Sequence, residues 1–141
     1  MDKPHPITLN QVFFTRTVVV AMPEHKAPDK GPIKHLPENS LDVSLLPEMQ
    51  GHYVATMRTR INSDSDSSDP YLVDMECVGF FTVDESLNDA DAKRGVTITA
   101  HTVLYGAIRE SIAWITGRHP HGPLILGLSV LQSKQPTKTK D

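Results

Sequence analysis

Two stretches of strict alternation separated by a turn sequence constrain this chain more than anything else in it. From Tyr53 to Ile61, the residues Tyr53, Ala55, Met57, Thr59 and Ile61 fall on one side and Val54, Thr56, Arg58 and Arg60 on the other. A period of two is that of a strand with one buried face. A second apolar row, Tyr71, Val73, Met75, Cys77, Phe81 and Val83, alternates with Leu72, Asp74 and Glu76. Between them residues 62–70 read NSDSDSSDP, where Asn, Asp and Ser bond to their own backbone and Pro withholds a ladder donor. The pattern predicts an antiparallel hairpin centred near Asp66, with Arg58 and Arg60 opposite Asp74 and Leu72 so that opposite charges meet on one face.

The remaining segments fit around that hairpin. Residues 7–22, ITLNQVFFTRTVVVAM, are rich in β-branched and aromatic side chains and stop at Pro23, which predicts a strand apolar on both faces. Residues 23–40 hold Pro23, Pro28, Pro32 and Pro37 and read as a loop or crossover, and residues 41–46 as a short strand or loop. Asp84 to Lys93 reads as an acidic loop. From Thr99 to Thr116, Leu104, Ile108, Ile112 and Ile115 form a helical stripe flanked by Val103, Ala107 and Trp114. Gly117 and Pro120 stop it, and Gly106 places a break that starts the helix proper at residues 105–107. The expected fold is α+β, an antiparallel sheet of about four strands with a long amphipathic helix packed on one face. One domain would span residues 1–132, followed by a polar, disordered tail, SKQPTKTKD, over 133–141.

Several classes of function are disfavoured. A formal net charge of −3 supplies no basic field for nucleic acid. The longest apolar run, Val18 to Met22, is too short to cross a bilayer, and the N-terminus lacks the apolar stretch of a signal peptide. The single cysteine, Cys77, admits no intrachain disulfide and suits a reducing compartment. A cytoplasmic protein without direct membrane insertion is expected. His119 and His121 are spaced to share a metal, but no nearby Cys or carboxylate completes the ligand set; a metal-dependent enzyme built on them is a remote alternative. Asp64, Asp66 and Asp69 superficially match a calcium loop, yet its sixth position is Asp69 rather than Gly and its twelfth is Met75. Ser111 sits mid-helix without elbow glycines, Cys77 lies on a core face, and Arg109 and Glu110 point about 100° apart. With no catalytic set, metal or cofactor implied, the chain is not expected to be an enzyme.

One local pattern remains. Residues 104–112, LYGAIRESI, are followed by Thr116, Gly117 and Arg118 and then by residues 123–131, PLILGLSVL. These residues resemble the signature of the SecB family of protein-export chaperones: an apolar pair, an often Pro-containing break, an Ala-Arg-Glu helix start, a glycine-bearing stop and a proline/leucine crossover. Phe13 to Arg16 before a Val-rich strand, and Cys77 to Phe81, match further upstream. The resemblance spans about residues 7–131, and its most specific element is the pair Arg109-Glu110. Family members continue into a further helix and an acidic tail, where this sequence has Lys134, Lys138, Lys140 and Asp141, a divergent, shortened end.

The resemblance implies a homotetramer, a dimer of dimers, that holds unfolded polypeptide in apolar grooves and hands it to the SecA translocase ATPase. A dedicated chaperone for one partner such as an antitoxin, without SecA coupling, is the alternative. The sequence assigns Ala107, Ile108, Ile112, Trp114 and Ile115 to the contact between subunits, since the stripe has more apolar surface than one sheet face covers. Leu124, Ile125, Leu126, Leu128 and Val130 cannot all face one helix, because neighbours in an extended segment point to opposite sides. Part of that set should line the groove for peptide, with Leu36 added by the resemblance. Leu72 and Asp74, on the outer face of the sheet, are the expected SecA contact. Where the family carries acidic residues on the outer face of the first strand, this chain is expected to present Thr17 and Ala21.

Overall fold

The hairpin forms, and it forms the middle of a larger sheet. A computed structural model describes residues 5–26, 37–66 and 68–129. Its elements are β1 (Ile7–Ala21), β2 (Glu38–Leu45), β3 (His52–Ile61), β4 (Tyr71–Val83) and α1 (Asp89–Thr116). The strands pair in the order β1-β4-β3-β2, antiparallel throughout. In the β3–β4 hairpin Arg58 lies opposite Glu76 and Arg60 opposite Asp74, two residues from the expected register. A slip of two keeps every side chain on its face, so the apolar rows hold: Tyr53, Ala55, Met57, Thr59 and Ile61 are buried together with Tyr71, Val73, Met75, Cys77, Phe81 and Val83. The turn decides the register. Asn62 adopts φ 58°, and its Oδ1 accepts from the Asp66 backbone N–H at 2.8 Å, a tight turn on the β3 side that goes with a pairing centred one residue past Asp66.

Residues 41–46 resolve as most of a strand, since β2 pairs with β3 along Glu38–Leu45. β1 carries register shifts between Leu9 and Gln11 and between Phe14 and Arg16. Each bulge adds a residue without a partner and reverses the alternation beyond it. Val12, Phe14, Thr17, Val19 and Ala21 therefore oppose Gly79, Cys77, Met75, Val73 and Tyr71 and share the inner face. Thr17 and Ala21 are thus not outer-face residues, as simple counting suggested; Arg16, Val18 and Val20 are.

The helix is longer than its periodicity predicts. It begins at Asp89, inside the expected acidic loop, where the Asn88 side chain caps it by accepting from Asp91 N–H, and Asp89 and Asp91 place negative charge against the first-turn amides. No break occurs at Gly106. Ala92, Val96, Ala100, Leu104, Ile108 and Ile112 are all buried at four-residue spacing, and this continuous contact with the sheet outweighs the roughly 1 kcal/mol that one helical glycine costs. Closest approach is marked by two glycines: a Cβ on Gly79 would lie 2.9 Å from the Phe81 ring and 3.1 Å from Leu104, and one on Gly95 would lie 2.8 Å from Ile7. Among the described residues no helix is long and apolar enough to cross a membrane.

Candidate functional site

Past Gly117 the chain reverses through residues 118–122 and runs back along α1 as an extended strap, residues 123–129, outside any helix or strand. Gly122 adopts φ 81°, a conformation natural only to glycine. Tyr71 from β4 donates its hydroxyl to Gly122 O, and His121 Nε2 lies 2.8 Å from Met22 O at the end of β1, so the paired strands β1 and β4 hold the turn at the end of the sheet where Ala21 meets Tyr71. Along the strap, Leu124 N–H donates to Thr116 Oγ1 at 2.7 Å. Arg109 Nε donates to Leu126 O at 2.9 Å, and the Tyr105 hydroxyl to Gly127 O at 3.0 Å.

Tied in this way, the strap sorts its own apolar residues. Leu124 and Leu126 are 3% and 4% exposed and belong to the core, whereas Ile125 and Leu128 are 73% and 85% exposed. On the side of β2 a hollow of about 400 Å³ is lined by Pro37, Asn39, Tyr105 and strap residues 125–129. On the other side a smaller one of about 230 Å³ is lined by Gly106, Arg109, Glu110, Ala113, Ile125 and Leu126. Of the residues assigned to peptide binding, Ile125 and Leu128 stand open at these hollows, while Leu36 and Val130 lie outside the described residues.

The expected subunit contact narrows similarly. Ile108 and Ile112 are fully buried in the chain's own core and present no surface to a partner. Ala107 and Ile115 are half-buried, and Trp114 is 66% exposed with the Arg118 guanidinium 4.8 Å over its ring. Sequence reading missed two further exposed apolar residues, Leu9 and Phe14, on the inner side of β1. The bulges that orient them leave no mark in the hydrophobic pattern.

On the outer face Asp74 is engaged within the chain. Its Oδ1 accepts from Arg58 Nε at 2.9 Å; its Oδ2 accepts from Arg58 Nη2 and from Arg16 Nε, each at 2.8 Å. The Arg58 hydrogen bonds, joined by Arg16, hold the carboxyl below its usual range against the opposing effect of desolvation. The same pairing pushes the Arg58 guanidinium up. Glu76 accepts from the Thr15 hydroxyl at 2.7 Å. Leu72 is half-buried opposite Val20.

The histidines collect around Tyr71: the His119 and His121 rings lie 5.7 and 5.8 Å from it, and His121 lies 5.1 Å from His25. Even so, among the described residues no three His, Cys, Asp or Glu side chains are placed to hold a metal ion. Asp66 and Asp69 cap local backbone, accepting from Ser68 and Tyr71 N–H. Cys77 is buried, which pushes its thiol up to about 11 and leaves it protonated and unreactive at neutral pH.

No family model matches the sequence, and no curated protein matches it. Solved structures do. A Streptococcus agalactiae protein of unknown function superposes with a TM-score of 0.56 at 12% identity, over 86% of this chain and 97% of that one. The Mycobacterium tuberculosis SecB-like chaperone, solved with a ChAD peptide from the HigA1 antitoxin, superposes with a TM-score of 0.65 at 22% identity, over 88% of this chain and 91% of that one. Sheet, helix and returning strap together give this chain the fold of a SecB-like chaperone.

Proposed function

We propose that this protein is an ATP-independent chaperone that holds non-native polypeptide against the strap. The observation that carries this reading is the division of the strap, with Leu124 and Leu126 locked inward while Ile125 and Leu128 remain exposed beside an open hollow. Apolar side chains held out by a fixed backbone gain only by meeting apolar side chains from another chain. The structural neighbour's complex with an antitoxin peptide supports a polypeptide as the ligand. The test is light scattering of a chemically denatured client diluted into buffer: aggregation falls without nucleotide and is abolished near stoichiometric amounts. A requirement for ATP, or catalytic turnover of client, rejects the reading.

Two client classes suit such a groove, preproteins bound for export through SecA and a single dedicated partner. The neutralisation of Asp74 by Arg16 and Arg58 favours the dedicated partner, because an acidic group already paired within the chain has little field left to attract a cationic docking segment. Copurification from the cytoplasm, where we place the protein, distinguishes them: the translocase motor is recovered in the first case and one specific protein in the second.

Assembly follows from surface the monomer leaves open. Trp114, Ile115 and Ala107 on α1 present apolar surface that a second copy would cover, Leu9 and Phe14 are separately exposed on β1, and β1 is an edge strand. We assign a homotetramer, a dimer of dimers. Light scattering coupled to size exclusion is expected to give four chain masses at micromolar concentration; a monomer mass refutes the assignment.

A further inference from the structure

The helix residues that tie down the strap are spaced as a ladder. His101, Tyr105 and Arg109 follow one another at intervals of four, on one flank of α1, and Thr116 lies seven residues, about two turns, further towards the helix end. Their partners run the opposite way along the strap: Ser129 Oγ lies 3.3 Å from His101 Nε2, Gly127 O is held by Tyr105, Leu126 O by Arg109 and Leu124 N by Thr116. Two of these rungs, Tyr105 and Arg109, grip consecutive carbonyls. A strap without strand partners has no ladder of its own, so these side chains do for it what a neighbouring strand does in a sheet.

Resting on the chaperone reading above, we propose that His101, Tyr105 and Arg109 are positioning residues of the client site. They set which strap residues face out, and client binding depends on them through the strap. With Leu126 O and Gly127 O both captured, rotation of the strap about its axis is blocked, and Ile125 and Leu128 are committed to the solvent side. Release of the rungs leaves Leu124 anchored at Thr116 but frees residues 126–129 to turn Leu128 against the helix, filling the hollow that a client would occupy. The energy at stake is small compared with the core, because each rung is a single hydrogen bond from a helix side chain to the strap.

The test compares wild type with Tyr105→Phe and Arg109→Met, singly and together, using a fluorescent reduced, carboxymethylated polypeptide as client. The double variant is expected to bind about tenfold more weakly, with faster amide exchange confined to residues 125–129 and a melting temperature close to wild type. Arg109→Lys, which keeps charge but lacks Nε, is expected to behave as Arg109→Met does. Wild-type affinity in the double variant, or exchange spread through the sheet, overturns the ladder while leaving the chaperone reading in place. Failure of wild-type protein to bind the client removes both.

Discussion

A variant carrying Ile125→Ser and Leu128→Ser is expected to melt at the wild-type temperature yet bind non-native clients roughly 30- to 700-fold more weakly, a loss of about 2–4 kcal/mol. Both side chains are largely exposed in the chain alone, so removing them takes almost nothing from the folded state. Their apolar area is lost only from the complex. The control is Leu126→Ser, one position along the same strap. Leu126 is 4% exposed, and its replacement opens a cavity and strands a hydroxyl in the core, at about 2–4 kcal/mol of stability. Thermal melts and client titrations on the two variants should therefore give opposite results. A paired variant that dissociates into smaller species with client affinity intact would show that Ile125 and Leu128 serve assembly instead.

Asp74→Ala is expected to destabilise the fold by about 1–3 kcal/mol near neutral pH, and Asp74→Lys by more. Either change leaves Arg16 and Arg58 facing each other without their shared acceptor, and lysine adds a third cation between them. The Arg side chains are 53% and 39% exposed, and solvent screening keeps the cost below that of a buried triad. The pH dependence follows from the direction of the shift. A carboxyl held below its ordinary value of 3.8 contributes stability that is complete above the usual carboxylate range and lost as pH falls through its folded value. Denaturant midpoints of wild type and Asp74→Ala should differ at pH 7 and converge on acidification below that range. A gap that persists in acid would mean Asp74 acts through packing, and the three-strand clamp would be discounted.

This clamp also separates two roles that a linear reading merges. Asp74 and Leu72 were recognisable as outer-face residues, because alternation alone assigns faces once a hairpin is recognised. That Asp74 is consumed by Arg16 depended on β1 lying beside β4, a pairing of residues 58 positions apart for which the sequence carries no local sign. Similarly, the stripe Leu104, Ile108 and Ile112 announces a buried helix face, but not whether a chain's own sheet or another subunit buries it. The sheet does, and Ala107, Trp114 and Ile115 keep surface outside that contact.

Taken alone, the sequence determined what short-range periodicity controls. The two central strands and their faces, the existence and stop of the helix and a following segment too irregular for a helix all follow from spacing, turn residues and side-chain type. The tertiary structure decided what depends on long-range balance. The helix runs through Gly106 and back to Asp89 because sheet contacts outweigh local propensity, the hairpin register follows one Asn62 hydrogen bond, and the face of each β1 residue follows two bulges. Most consequentially, the strap's inner and outer leucines were settled by Tyr105, Arg109 and Thr116 gripping its backbone, since an extended segment has two equivalent faces until something holds one of them down.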